Sequence, residues 1–376
     1  MLLNLTEDQD FFRQTTDRFL NELVSPDAVR ALRDDASGFD STYWRRGAEL
    51  GWTSLLVSEE HGGGTISGAG LVDLSVVAYA FGSHAAPGPL AATNVVAGTL
   101  SAHGAAPEVL ASLLSGEGIA TWCAPVSGPD GWRPTVGATH DGSEIVLRGE
   151  VRQVEAAGAT GHLLVTCSDG AGTTQVLLPS SSVGVTITPM QTIDLTRRFD
   201  VVTFDDVRVS ADAVVGASGE ASPDVDRQFQ VLLVILNAES VGTMQSGFDM
   251  TVEWAFDRYS FGRPLASYQA LKHRFADMMS WLQASHAISE ASCAATQEGS
   301  DDAPEIVSAA KAYIGQYGAE LLQDCVQLHG GIGVTFEHDL HLYLRRLIVD
   351  RALAGTPADH RQRIASMVAE REGMAA

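Results

Sequence analysis

The chain is short of positive charge: 24 lysines and arginines stand against 47 acidic residues, a net charge of −23 at neutral pH over 376 residues. Such a surface repels nucleic acid and anionic lipid, so neither is expected as a partner, and any phosphate site must be built from particular arginines. Cysteines are few. Cys123, Cys167, Cys293 and Cys325 form no CxxC pair, which argues against a disulfide framework and a zinc knuckle. Eleven histidines are dispersed and HExxH is absent, so no metal site is expected. The longest apolar runs, such as VLLVIL at 231–236, fall far short of a membrane span. The opening MLLNLTEDQDFFRQ turns acidic within a few residues and does not read as a signal peptide, so a cytoplasmic location is expected.

What is present is a foldable composition, 45% apolar and 19% charged, long enough for two or three domains. Helical periodicity dominates residues 1–118. LTEDQDFFRQTTDRFLNELV sets Phe11, Phe12, Phe19, Leu20 and Leu23 along one stripe, with Leu5 and Thr6 as staple and N-cap. SEEHGGGTISGAG, 58–70, reads as a flexible loop between helices. Residues 119–216 change character: EIVLRGEVRQVE, HLLVTC, TQVLLP, GVTITPM and DVVTFDDVRV are short β-rich runs separated by turn residues. They predict a small antiparallel barrel or sandwich, and no βαβ alternation supports a Rossmann fold. From 224 to 376 long helical segments return and predict a bundle. The expected class is α+β: an N-terminal helical domain, a middle antiparallel β-barrel and a C-terminal helical bundle.

Two glycine-rich strings have plain readings. HGGG at 61–64 lacks the GxSxG elbow that an esterase would need. GGIG at 330–333 follows a helix and reads as its C-cap and turn. DRYSFGRPLASYQALKHRFADM, 257–278, is open to two readings. It is either an interhelical turn with solvated arginines, or an arginine and backbone N–H groups meeting a phosphate at a helix terminus.

RYSFGRPLASYQALKHRFADM resembles the R-x-x-F-G-x-P stretch of acyl-CoA dehydrogenases, and QLHGGIGVTFEHDLHLYLRR, 327–346, resembles their Q-x-x-G-G-x-G stretch. VTFDDVRVSADAVVG, 202–216, looks like the close of that family's middle domain. The resemblance spans essentially the whole chain. It implies the helix–barrel–helix architecture, FAD bound between subunits, an acyl-CoA substrate and an electron-transfer flavoprotein as electron acceptor. It also implies that Arg258, Ser260, Phe261, Gln327, Gly330 and Gly331 reach the ADP half of a neighbouring subunit's FAD.

The departures fall elsewhere. Where the family has a T-E pair against the flavin ring, this chain has Ala124 and Pro125. Where the family has an aromatic residue, Ile and a hydroxyl, it has Gln153, Val154 and Glu155; an anionic Glu155 would oppose a reduced flavin. Many members carry the base that removes the substrate's α-proton in (Y/F)-E-G-T. Here the string is LAGT and the position is Ala354, which cannot act as a base. Other members keep the base at a position matching Leu232, equally inert. Glu239, seven residues on, lies roughly 10 Å along the helix and would serve only a substrate bound in another register.

The resemblance therefore implies a subunit that keeps its in-trans cofactor residues and lacks its own base. Its expected partner is a homologous subunit bearing the glutamate, in an α2β2 assembly of the kind used on bulky sterol side-chain CoA esters. The rival readings are a homotetrameric dehydrogenase or oxidase with Glu239 or Glu155 as base, and a flavin-free scaffold that binds CoA esters.

Overall fold

The computed structural model describes residues 5–373, and by compactness they form two units. The first holds residues 5–29, Ser75–Ala86 and residues 233–373; the second holds Arg30–Leu74 and Pro87–Leu232. Chain order is helical at both ends, with α1 (Glu7–Leu23), α2 (Pro26–Ala31), α3 (Ser41–Glu49), α4 (Gly70–His84), α5 (Leu90–His103) and α6 (Pro107–Leu114) leading into the strands. The strands are β1 (Ala120–Cys123), β2 (Val126–Gly128), β3 (Gly131–Arg133), β4 (Val136–Asp141), β5 (Glu144–Glu155), β6 (His162–Ser168), β7 (Thr173–Pro179), β8 (Val185–Pro189), β9 (Phe199–Ser210) and β10 (Val214–Val215). Then come α7 (Ser222–Asp257), the hairpin β11 (Tyr259–Ser260) and β12 (Arg263–Pro264), α8 (Gln269–Glu298), α9 (Ala303–His329), α10 (Leu340–Ala352) and α11 (Pro357–Arg371). Among the described residues no helix is long and apolar enough to cross a membrane.

Helix α1 starts as its sequence predicts. Thr6 accepts from the Gln9 N–H at 3.2 Å and Gln9 Oε1 accepts from the Thr6 N–H at 3.1 Å, a capping box. The expected stripe needs a correction. Phe12, Phe19 and Leu20 are buried, but Phe11 lies about 100° from Phe12 around the helix and is 73% exposed. The 58–70 loop is also more constrained than expected. Asp73 accepts from the Ile66 and Ser67 N–H groups at 2.7 and 3.0 Å, and from the Ser67 hydroxyl at 2.8 Å.

The second unit is built on a mostly antiparallel sheet in the order β10-β7-β6-β4-β5-β9-β8, with β1 pairing β6 in parallel. Inward residues such as Leu147, Val151, Leu163, Val165, Val202 and Phe204 make its core. Among the described residues no ladder joins β8 to β10, so the sheet is open where a closed barrel was expected. The ends explain this: β8 pairs only with β9 and is largely exposed, and β10 is two residues long. Neither end presents the continuous buried face that closure requires.

In the first unit α9 is the central helix, packed by α8, α10 and α11 around Met244, Phe248, Met278, Leu282, Leu321 and Leu347. The 36-residue α7 is about 54 Å long at 1.5 Å per residue. It crosses α4 at glycine. A Cβ on Gly82 would sit 1.8 Å from the Glu239 carbonyl oxygen, and one on Gly242 would sit 2.1 Å from that of Tyr79. This backbone contact fixes the height at which Glu239 enters the interior.

Candidate functional site

The cofactor residues expected from the sequence fall into two segments of the first unit, and an indole brings them together. α7 ends at Asp257, and Arg258 begins the tight β11–β12 hairpin. Its two central residues, Phe261 and Gly262, have φ of +51° and +80°, the left-handed pair that a type I′ turn requires. Glycine takes that conformation freely; phenylalanine does so at a cost. The turn is nonetheless held. The Leu265 N–H donates to the Arg258 carbonyl at 2.9 Å, the Tyr268 hydroxyl donates to the Ser260 carbonyl at 2.7 Å, and Arg263 lies 3.8 Å from the Tyr268 ring centre. The outcome is a Phe261 ring 98% exposed at the tip.

The second segment begins where α9 stops. His329 is buried, and its Nδ1–H donates to the Cys325 carbonyl at 2.8 Å. Burial pushes its pKa below the usual histidine range, so the ring is neutral. It stacks on Trp254 with ring centres 5.2 Å apart, and the Arg258 guanidinium lies 5.9 Å from the same indole. His338 meets His329 edge-on at 4.4 Å. Sequence reasoning missed Trp254 and His338 and gave His329 no role. Their only prior signal is the aromatic one turn before Arg258, which reads as helix core.

Gln327, Gly330 and Gly331 are exposed beside this stack. Gly330 adopts φ +66° and ψ −139°, a conformation open to glycine alone, so its identity has a local cause. Gly331 has none. Its φ is not positive, and an added Cβ would meet nothing within 4 Å. Nothing among the described residues requires a glycine there. An exposed arginine, an uncovered aromatic tip, an amide and an open glycine turn on one unit fit the phosphates of a dinucleotide.

The turn at Ala354 has a defined shape. α10 ends at Ala352, Ala354 and Gly355 follow with φ of +56° and +103°, and Thr356 caps α11. Thr356 and Asp359 form a second capping box, with the Thr356 N–H donating to Asp359 Oδ2 at 2.8 Å. These bonds hold the Asp359 carboxyl below the usual carboxylate range. The Ala354 carbonyl accepts from His360 Nε2–H at 3.0 Å. Burial first, then Lys311 and Arg363, push the His360 pKa down to about 3. This turn itself presents a methyl group and a backbone carbonyl, with no side chain able to take a proton.

The two carboxylates considered as substitutes are both committed to arginines. Glu239 is 4% exposed and its Oε1 accepts from Arg346, which is 1% exposed; Arg346 also donates to the Ala86 carbonyl at 2.9 Å. In the second unit, Glu155 is buried and accepts from Arg197 Nε at 2.6 Å. The expected free anion at Glu155 is therefore corrected to a neutralised pair. Gln153 sits with φ +60° at the irregularity between Val151 and Val154, with its side chain exposed. Ala124 and Leu232 are half-buried and Pro125 is buried. Among the described residues, no cluster of three or more metal-ligating side chains occurs.

Helical segments on either side of a mostly antiparallel sheet give the chain the architecture of the acyl-CoA dehydrogenase fold. The family model described as "Acyl-CoA dehydrogenase, N-terminal domain" matches residues 6–117, and "Acyl-CoA dehydrogenase, C-terminal domain" matches residues 227–369. The chain belongs to the acyl-CoA dehydrogenase family. It is 29% identical over 367 residues to the acyl-CoA dehydrogenase IpdE2 of Mycolicibacterium smegmatis, covering 97% of this chain and 100% of that protein. The solved structure of a variant of the Tcur3481-Tcur3483 steroid ACAD superposes with a TM-score of 0.88 at 25% identity, covering 98% of this chain and 99% of the other. The ChsE4–ChsE5 complex of Mycobacterium tuberculosis does so with a TM-score of 0.87 at 25% identity and the same coverage.

Proposed function

We propose that the chain is the base-lacking subunit of a heteromeric acyl-CoA dehydrogenase that oxidises the α,β bond of a bulky acyl-CoA of the sterol-derived class. The carrying observation is the Ala354 turn: both helix caps and the left-handed link are built, and the side chain at the family's base position is a methyl group. Glu239 does not replace it. A base must reach the α-carbon proton within hydrogen-bond distance, and this carboxylate is sealed in the interior against Arg346. The glutamate that takes the α-proton belongs to a homologous partner in an α2β2 assembly.

In this reading Arg258 and Gln327 bind the pyrophosphate of an FAD shared with the partner, Ser260 and the open Gly330–Gly331 backbone approach it, and Phe261 packs beside it. FAD held there would supply the acceptor for the β-hydrogen as hydride, and an electron-transfer flavoprotein is the electron acceptor this reading expects. The chain's own residues bind and orient; they move no proton at the substrate. Two comparisons support pairing, since both solved neighbours are named for two gene products. Gly331 weighs against a flavin-free scaffold, because its bareness has no cause within the chain.

The test is to purify the chain alone and co-expressed with the product of its neighbouring gene, expected to be a family member that retains the glutamate, then measure FAD per subunit and turnover. FAD and turnover only in the co-purified complex is the expected result. Stoichiometric FAD with turnover in the lone chain overturns it, as does colourless material in both preparations.

A further inference from the structure

Arg258 is an exposed cation in a chain that carries 47 acidic residues against 24 basic ones, and Asp257 precedes it directly. Exposed arginines elsewhere find carboxylates: Arg148 pairs with Asp206, Arg208 with Asp141 and Glu144, and Arg371 with Glu305. Among the described residues the Arg258 guanidinium makes no ion pair and no hydrogen bond. It lies instead against the Trp254 indole, 5.9 Å from the ring centre, within the range at which a cation is drawn to an aromatic face. The backbone sets up this contact. The Arg258 N–H donates to the Trp254 carbonyl at 2.9 Å, so the last turn of α7 carries both side chains on one face.

The indole is itself held from α9. His329 stacks on it with ring centres 5.2 Å apart and planes 21° from parallel, and the His329 Nδ1–H bond to the Cys325 carbonyl fixes the plane of the imidazole. His338 closes the group edge-on, 4.4 Å from His329 and 6.5 Å from Trp254. Gly333 allows the turn after α9 to fold over His329, because a Cβ there would sit 2.8 Å from the His329 Cβ and 2.6 Å from the Val326 carbonyl oxygen.

The stack is costly as mere filling. Trp254 Nε1 and His329 Nε2 are buried and make no hydrogen bond with any described residue, a cost that phenylalanine and leucine would avoid. An indole offers what they lack, the strongest aromatic face for a cation, and a bonded imidazole offers a platform that cannot turn. We infer that Trp254, braced by His329, is a positioning residue for Arg258: it keeps the guanidinium off the carboxylates of its own chain and ready for the pyrophosphate of a dinucleotide. This rests on the reading of Arg258 given above.

The test is a double-mutant cycle on the FAD affinity of the co-purified complex, with Trp254→Leu, Arg258→Ala and both together. Trp254→Leu is expected to weaken FAD binding about two- to five-fold, the range of an exposed cation–π contact, and to add nothing once Arg258 is alanine. Trp254→Phe should recover part of the loss, and His329→Leu should weaken FAD binding in the same direction. A second measurement needs no cofactor. In NMR spectra of the full chain, the Arg258 side-chain protons should be shifted upfield by the indole ring current, and Trp254→Leu should remove that shift. Additive losses in the cycle overturn the inference and leave the reading of Arg258 standing. So does an Arg258 resonance at the position of a solvated arginine in the unaltered chain, which decides the matter if Trp254→Leu fails to fold. A complex that binds no FAD, or whose FAD affinity ignores Arg258→Ala, overturns the reading of Arg258 and the inference with it.

Discussion

The Arg346 guanidinium donates to Glu239 Oε1 in an interior where neither side chain meets solvent, joining α10 to α7 across 107 positions of sequence. Both charges are desolvated, and each is tolerable only because the other is present.

Breaking this pair from one side should therefore be costly. Glu239→Ala or Arg346→Ala is expected to lower stability by about 3–5 kcal/mol, and the double replacement Glu239→Leu with Arg346→Met should recover most of it. Urea unfolding of the four proteins measures this. A single variant as stable as the parent would show that the pair is not a buried charge pair in solution.

The cofactor face makes a different prediction. Arg258→Ala should weaken FAD binding by the co-purified complex about 10- to 100-fold, the range of a lost charge-assisted hydrogen bond. Gly331→Ala should weaken FAD binding as well, yet leave the melting temperature of the chain close to the parent's, because the added Cβ meets nothing within 4 Å. Flavin fluorescence after gel filtration and a thermal melt separate the two effects.

Putting a carboxylate back should not be enough. Ala354→Glu restores a base at the turn, but Ala124, Gln153 and the paired Glu155 remain in place of the flavin-ring contacts. No turnover is expected from the lone variant, assayed with a dye acceptor and a panel of acyl-CoA esters. Activity there would mean that the base alone had been missing.

Acid should destabilise the first unit through its buried histidines. His360 is held near 3 and His286 near 4, against an unfolded value of 6.5. Between those values the unfolded chain binds protons that the folded chain refuses, so stability falls as pH drops below 6.5. For His360 alone, going from 6.5 to 5 amounts to about 2 kcal/mol. His360→Asn should flatten the slope of urea midpoint against pH between 7 and 5. An unchanged slope would show that His360 protonates freely in the fold.

Much of this was legible in the sequence. The long helices α7, α8 and α9 were, because a 3.6-residue period sustained over many turns has few other solutions. Thr6 and Thr356 are cap residues by type and act as caps. The inertness of Ala354 and Leu232 needed only their names. What stayed hidden was pairing at a distance: Glu155 reads as a free anion until Arg197, 42 positions away, neutralises it. Phe11 was placed on the wrong side of α1 because two adjacent phenylalanines cannot share one helical face. Barrel closure is likewise set by what the two edge strands meet, and no local pattern records that.

The Phe261 hairpin has a consequence for the rate of assembly. Its bonds to Leu265 and Tyr268 are made within the chain, so the left-handed tip is set before any partner arrives. A docking element that must first order itself slows association and loses part of its contact energy to that ordering. This one has met its conformational cost during folding. In the proposed assembly, encounter with the partner would then need only a matching cleft, and the time a newly made chain spends with its aromatic tip in water would be set by partner concentration rather than by loop closure.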